Sequence, residues 1–200
     1  MTEDEIESLL LFAKINDFLG DHDAACECFE VCLGLKEKFD GLNESYADTQ
    51  FLFAELQVKA GNQEKALELF FSSLKIQKVC LGGMHLNIAK VLKEISDVLL
   101  SRHKLDEAVD YMRQELEIKE ELLGNDCEAV SDCQERIGTA NFQRCEYKAS
   151  VQNLIEALRI RELLQFEDET TSQLLYKIGR SFFMMPDYSR ACDYFNKGKW

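Results

Sequence analysis

The sequence predicts an all-α fold, a right-handed α-solenoid of five antiparallel helix pairs. Three observations support this prediction. A small residue recurs every 41 or 42 residues, apolar residues follow helical spacing between the recurrences, and the 200 residues include a single proline. Because a repeat array forms one elongated domain, we expect a single repeat domain over residues 1–200.

Two small residues in each helix pair define the repeat. The second helices carry Ala25, Ala66, Ala108, Ser150 and Ala191. In the first helices the small residues are Ala13, Ala54, Ser96, Gly138 and Gly179, each preceded by a large apolar residue. Antiparallel helices approach within about 8–10 Å only where a small side chain meets the ridge of its neighbour. We therefore expect these positions at the helix contacts.

Turn residues divide the repeats into helices. Residues at equivalent places inside the pairs are Gly20, Gly61, His103, Cys145 and Pro186. Thr2 and Glu5 have capping-box spacing, so the first helix should begin near residue 3. The predicted helices span residues 3–19, 22–39, 44–60, 63–81, 86–102, 105–123, 127–144, 147–165, 170–185 and 188–200. They form repeats over residues 3–41, 44–83, 86–125, 127–167 and 170–200.

The order of large and small residues resembles the tetratricopeptide repeat over essentially the whole chain. The period near 42 residues, without a proline after each second helix, is similar to the kinesin-light-chain subclass. The connecting segments 81–89 (LGGMHLNIA) and 123–130 (LGNDCEAV) carry that resemblance. It implies an α-solenoid that binds proteins rather than an enzyme, and it implies no cofactor.

The inner-face residues differ from those of two well-known tetratricopeptide groups. Kinesin light chains carry paired asparagines there, whereas the corresponding pairs here are Leu10-Leu11, Phe51-Leu52, Lys93-Glu94, Glu135-Arg136 and Tyr176-Lys177. The carboxylate clamp of chaperone-binding domains is also not matched, because acidic residues interrupt the basic ones on this face.

A groove lined by the solvent-side residues of the first helices is the expected binding surface for a peptide or helical segment of a partner. The predicted groove residues are Lys14, Phe18, Phe51, Glu55, Lys59, Lys93, Asp97, Glu135, Thr139, Phe142, Tyr176, Arg180 and Phe183. The alternative is that the aromatic residues fill contacts between pairs and the charged ones are merely solvated.

Metal binding and catalysis are not predicted. Cys26 and Cys28 point to different sides of one helix, so they cannot join one tetrahedral zinc site, and we expect them in the core. Cys127 and Cys133 are expected to be more exposed. The stretch Glu115–Glu117 is predicted to lie on a solvated outer face. No nucleophile, metalloprotease or phosphate-loop motif is present in the sequence.

The composition limits which classes of partner and which compartment we expect. The net charge of −14 disfavours nucleic acid and anionic membranes. Eight scattered cysteines, an acidic N-terminal segment and short apolar runs predict a cytoplasmic protein with reduced thiols and no membrane insertion.

The last pair raises the question of what covers the end of the array. We expect apolar surface there from Phe182, Phe183, Met185 and Phe195, which would suit a fragment of a longer protein or self-association through this end. The leading hypothesis is an adaptor or scaffold. The alternatives are a regulatory or assembly module of a larger protein, and a self-associating structural repeat.

Overall fold

The computed structural model describes residues 3–39, 41–165 and 169–198, and the regular structure within these ranges is helical. The helices are α1 (Glu3–Leu19), α2 (His22–Phe39), α3 (Glu44–Lys59), α4 (Gln63–Leu81), α5 (Leu86–Ser101), α6 (Leu105–Leu123), α7 (Glu128–Gln143), α8 (Tyr147–Leu163), α9 (Glu169–Met184) and α10 (Tyr188–Lys197). The all-α prediction is confirmed. Thr2 and the predicted helix end at 199–200 lie outside the described residues.

The chain divides into two compact units, Met1–Val98 and Leu99–Trp200, with the boundary inside α5. In the first unit α1 packs on α2, α2 on α3 and α3 on α4. In the second unit the same succession runs from α6 to α10. Each unit therefore stacks consecutive antiparallel helices, as the repeat period predicts. The single domain expected over residues 1–200 remains a prediction.

Four of the five turns inside the pairs share a left-handed backbone conformation. Gly20 and Gly61 both have a φ of 80°, and the non-glycine residues at the equivalent positions, His103 and Cys145, reach 57° and 61°. In the turn after α3, the amide of Asn62 donates to the carbonyl of Gln57 at 2.8 Å, which satisfies a terminal carbonyl of the helix. The repeat therefore imposes a left-handed turn even where the residue is not glycine.

The small residues lie at the helix contacts, as expected. Ala13, Ala54 and Ser96 are completely buried. At Gly138 in α7, a Cβ atom would stand 2.7 Å from Cγ of Leu154 in α8 and 3.1 Å from the carbonyl oxygen of Ser150. The absence of a side chain at this glycine is therefore what lets the two helices of the pair approach so closely.

We predict that Gly138→Val destabilises the protein by about 1–3 kcal/mol, because the added side chain overpacks the contact with Leu154. The matched control is Gly34→Val in α2, where an added Cβ would meet nothing within 4 Å. That control should change stability by less than about 0.5 kcal/mol, because valine is no worse than glycine in a helix. Chemical denaturation of both variants measures the difference, and equal stability would contradict the role assigned to Gly138.

Candidate functional site

The predicted groove residues of the first unit fall into two groups. Lys14, Phe18 and Lys59 are exposed, and the Phe18 side chain is 90% accessible to solvent. Phe51 differs from the prediction that it is a solvent-side residue, because only 4% of it is exposed. Its ring packs against that of Phe70, with centroids 5.5 Å apart, so it belongs to the interior between α3 and α4.

Charged side chains surround the half-buried part of this face. Lys59 Nζ lies 2.6 Å from Asp17 Oδ2. Lys93 Nζ lies 3.1 Å from Glu94 Oε1 and 3.2 Å from Asp97 Oδ2. Burial acts to lower the pKa of the Lys93 ammonium, but the two carboxylates outweigh it and raise the pKa above its ordinary value. Lys93 therefore stays charged at neutral pH.

Glu55 lies on α3 near the same charges. Burial raises the pKa of its carboxyl above the usual range, and the nearby Lys90 opposes that shift. The predicted residues Lys93, Asp97 and Glu55 are thus already engaged with neighbouring charges, which limits how strongly any one of them can attract a partner.

A small cavity of about 250 Å³ opens beside Phe51 in the first unit. Lys90 Nζ lies 4.2 Å from the centroid of the Phe51 ring, and Gln77 Nε2 donates to Asp48 Oδ1 at 3.1 Å. Gln77 is almost completely buried, and within the described residues its Oε1 accepts no hydrogen bond from a protein group. The residues that line the cavity are Asp48, Phe51, Leu52, Gln77, Asn87, Lys90 and Val91.

An aromatic and cationic surface lies on α7 and α9 of the second unit. The guanidinium carbon of Arg180 lies 4.8 Å from the centroid of the Phe142 ring and 5.9 Å from that of Tyr176. Tyr176 remains 56% exposed, while its ring packs 5.6 Å from that of Phe195. Three predicted groove residues are thus brought together on one surface of the second unit, which we call the Arg180 surface (Phe142, Tyr176 and Arg180).

Two other predicted groove residues of this unit have structural partners. Glu135 is half-buried between two cations. Its Oε1 lies 2.6 Å from Lys177 Nζ, and its Oε2 lies 2.8 Å from Arg161 Nη2. The Thr139 hydroxyl donates to the carbonyl of Glu135 at 2.8 Å. Glu135 therefore links α7 to α8 and α9, while the Thr139 hydroxyl is engaged within α7.

The expected apolar surface near the end of the chain is only partly present. Phe182 is buried, contrary to the prediction, and stacks on Tyr194 with ring centroids 5.5 Å apart. Met185 and Phe195 are half-buried, and both pack against the core of this unit. Phe183 is exposed and meets Tyr188 edge-on. Within the described residues, α10 therefore covers more of α9 than the sequence suggests.

The prediction that Glu115 lies on a solvated outer face is wrong. Glu115 is completely buried. Its carboxylate lies 2.7 Å from Lys119 Nζ and 2.6 Å from Arg136 Nη1, and it accepts a hydrogen bond from the Cys133 thiol at 3.1 Å. The prediction that Cys133 is exposed is wrong for the same reason, because both side chains share one buried cluster between α6 and α7.

We predict that Glu115→Ala destabilises the protein by about 3–5 kcal/mol, because it leaves Arg136 and Lys119 without their buried counter-charge. Glu117→Ala is the control, since Glu117 lies two residues further along α6 and is exposed. It should cost less than about 0.5 kcal/mol. Thermal or urea unfolding of both variants separates the two residues. A Glu115→Ala protein as stable as the control would contradict the cluster.

We also predict that Cys133 resists alkylation in the folded protein. Burial, reinforced by Glu115, raises the pKa of its thiol to about 12 from the ordinary 9.0. At pH 8 the thiolate fraction is thus about a thousandfold below that of an ordinary cysteine. Iodoacetamide pulses followed by peptide mass spectrometry should modify the exposed Cys80 and Cys192 but modify Cys133 only in denaturant. Equal native labelling of all three would overturn this assignment.

The structure also shows the state of the cysteines and allows a search for metal sites and membrane-spanning helices. All eight cysteines are free thiols. In residues 3–39, 41–165 and 169–198 no group of three His, Cys, Asp or Glu side chains is arranged to hold a metal ion. Over the same residues no helix is long and apolar enough to cross a membrane.

These stacked antiparallel pairs, with a small residue at each contact, define a helical-repeat protein. Models of the tetratricopeptide repeat match residues 6–39 and residues 87–163. The chain therefore contains tetratricopeptide repeats, and no enzyme family is indicated. A comparison with curated protein sequences finds no match.

Solved structures agree with this fold at low sequence identity. BtubC (BKLC) from P. vanneervenii is 19% identical, with a TM-score of 0.82 over 96% of this chain and 78% of that chain. Kinesin-light-chain repeats from Podosopora anserina are 17% identical, with a TM-score of 0.79 over 97% and 93%. YrrB, "a TPR protein with an unusual peptide-binding site", is 14% identical, with a TM-score of 0.67 over 95% and 82%. At these identities the likeness establishes the fold alone.

Proposed function

We propose that this chain is a protein-interaction module whose units bind a peptide or helical segment of a partner protein. The observation that carries the proposal is the Arg180 surface. Tyrosine and arginine dominate the binding energy of many protein interfaces, because they combine large apolar area with directed polar contacts. Here both remain accessible on one face of a rigid helix pair, and Arg180 is held in place by the Phe142 ring.

The rigidity of the Arg180 surface supports this role. A side chain that is already ordered loses less conformational entropy when a partner binds. The guanidinium stands over an aromatic ring, which fixes its plane while leaving donors for a partner's carbonyl or carboxylate groups. The exposed Phe183, one helical turn further along α9, can add an apolar contact.

The first unit offers a separate surface of different character. Phe18 is exposed beside the exposed Lys14 on α1, whereas the charge of Lys59 on α3 is paired with Asp17. A segment with an apolar anchor and an acidic neighbour suits that combination. Phe51 is buried, and Glu55, Lys93 and Asp97 interact with neighbouring charges, so we do not propose them as primary contacts.

Relatives of similar fold agree with a binding role. YrrB carries a peptide-binding site by its own description, and tetratricopeptide proteins generally act as interaction scaffolds. The net charge of −14 disfavours nucleic acid as a partner. We also infer that the repeats belong to the 42-residue kinesin-light-chain type, which the repeat spacing and the resemblance to Podosopora anserina repeats support.

We predict that variants of the Arg180 surface lose peptide binding without unfolding. Peptides selected from a random phage-displayed library against the full chain would be labelled and titrated by fluorescence anisotropy. Tyr176→Ala and Arg180→Glu should each weaken a selected peptide by about tenfold or more, because each removes an interface anchor.

The matched control is Arg159→Glu, an equal change of charge on an exposed arginine of α8. It should alter affinity by less than about twofold. Circular dichroism confirms that all three variants are folded. Selected peptides that bind every variant as tightly as the parent, or that lose equal affinity to Arg159→Glu, would contradict the proposal.

A further inference from the structure

A row of residues on α1 is exposed although its equivalents are buried in each later pair. Phe12 is 55% exposed and Ile15 is 45% exposed. The repeat-equivalent positions of Phe12 are Phe53, Ile95, Ile137 and Ile178, all 2% exposed or less. Those of Ile15 are Leu56, Val98, Ala140 and Ser181, all 4% exposed or less. The sequence pattern that builds a buried helix face is thus present on α1 but uncovered.

The later pairs show what covers this face. Phe53 on α3 stacks on Phe29 of α2, with ring centroids 5.5 Å apart and planes inclined by 16°. In the second unit, Ile137 and Ala140 of α7 share a cluster with residues of α6, and Ile178 of α9 shares one with residues of α8. In each case the cover is the second helix of the preceding pair.

The covering helices share one residue pattern. Apolar residues stand at i, i+3 and i+7, and a basic residue stands at i+10. The pattern reads Cys26, Phe29, Leu33, Lys36 in α2; Val109, Met112, Leu116, Lys119 in α6; and Val151, Leu154, Leu158, Arg161 in α8. The first three positions lie on one side of a helix and match the width of the face they cover.

The basic residue of the pattern reaches the N-terminal half of the helix that it covers. Lys36 Nζ donates to the carbonyl of Ser45 at 3.2 Å, and Arg161 Nη1 donates to the Thr170 hydroxyl at 2.6 Å. Lys119 Nζ donates to Sγ of Cys133 at 3.3 Å. On α1 the corresponding region presents the exposed acidic residue Glu5, beside which a cation of the partner can lie.

We propose that the exposed face of α1 (Glu5, Ser8, Phe12 and Ile15), here called the α1 docking face, binds an amphipathic helix of another protein. That helix carries apolar residues at i, i+3 and i+7 and a Lys or Arg at i+10. It lies on α1 as α2 lies on α3. The face is separate from the surfaces of the proposed function, so either can be wrong without the other.

The polarity of the face favours a partner that binds reversibly. At the Glu5 position the later pairs bury Tyr46, Ile88, Val130 and Thr171, and at the Ser8 position they bury Thr49, Val91, Cys133 and Leu174. α1 carries a carboxylate and a hydroxyl at these two places. Part of the docking face is therefore polar, while Phe12 and Ile15 supply the apolar anchor.

A second copy of this chain is the less suitable occupant. The three helices that carry the full pattern are already packed against α3, α7 and α9. α10 begins the pattern with Cys192 and Phe195, but the sequence has Lys199 in place of an apolar residue at i+7. The net charge of −14 on each copy also opposes self-association.

The test uses the full chain and a synthetic probe. The probe is a fluorescein-labelled, end-blocked peptide with the sequence of residues 147–163, which contains Val151, Leu154, Leu158 and Arg161. We expect it to bind with a Kd on the order of 10–100 μM, since a short helix must also be ordered on binding. Phe12→Asp and Ile15→Glu in the chain should each weaken binding by about tenfold or more.

Val79→Asp is the matched control in the chain, because Val79 of α4 is 82% exposed and lies outside both the docking face and the surfaces of the proposed function. It should leave the Kd unchanged within about twofold. A probe with Leu154→Asp and Leu158→Asp should not bind, and one with Arg161→Glu should bind about threefold to tenfold more weakly.

Three outcomes would overturn the proposal. The first is no saturable binding of the parent probe to the folded chain. The second is an equal loss for Val79→Asp and Phe12→Asp, which would show that the probe does not bind specifically to the α1 docking face. The third is a concentration-dependent dimer in sedimentation velocity that Phe12→Asp dissociates, which would make a second copy the occupant.

Discussion

The structure depends on one steric constraint, the close approach of the two helices in each pair at a residue with little or no side chain. Gly138 shows the constraint in its strictest form, because even a methyl group there would meet Leu154. Once that approach is fixed, the large residues around it have only one arrangement in which they fill the space. Small residues recur every 41 or 42 positions in the sequence because each helix pair needs one at this contact.

The fold could be predicted from the sequence because the constraint repeats. Helix boundaries followed from turn residues that occur at equal intervals, and positions such as His103 and Cys145 adopt the same left-handed turn as the glycines they replace. A repeat therefore compensates for weak local signals, since an unfavourable residue in one copy is held in place by the packing that its neighbours share.

The residues of the candidate site were predicted less well, and the reason is physical. Helical spacing says which residues share a face, but it does not say whether the next helix covers that face. Phe51 faces the interior, and Glu115 lies in a charged cluster whose members come from positions 115, 119, 133 and 136. The i,i+4 relation of Glu115 and Lys119 is visible in the sequence, whereas their contact with Arg136 and Cys133 depends on the packing of α6 against α7.

The uncovered face of α1 also bears on how the protein unfolds. In a stacked array each pair is supported chiefly by its immediate neighbours, so the cooperative free energy is distributed along the stack rather than concentrated in one core. Phe53 and Leu56 on α3 are buried, whereas the equivalent Phe12 and Ile15 on α1 are exposed. The amide hydrogens of α1 should therefore exchange with solvent sooner than those of α3. A ligand that binds the exposed face of α1 would slow local opening throughout the first unit without changing its structure.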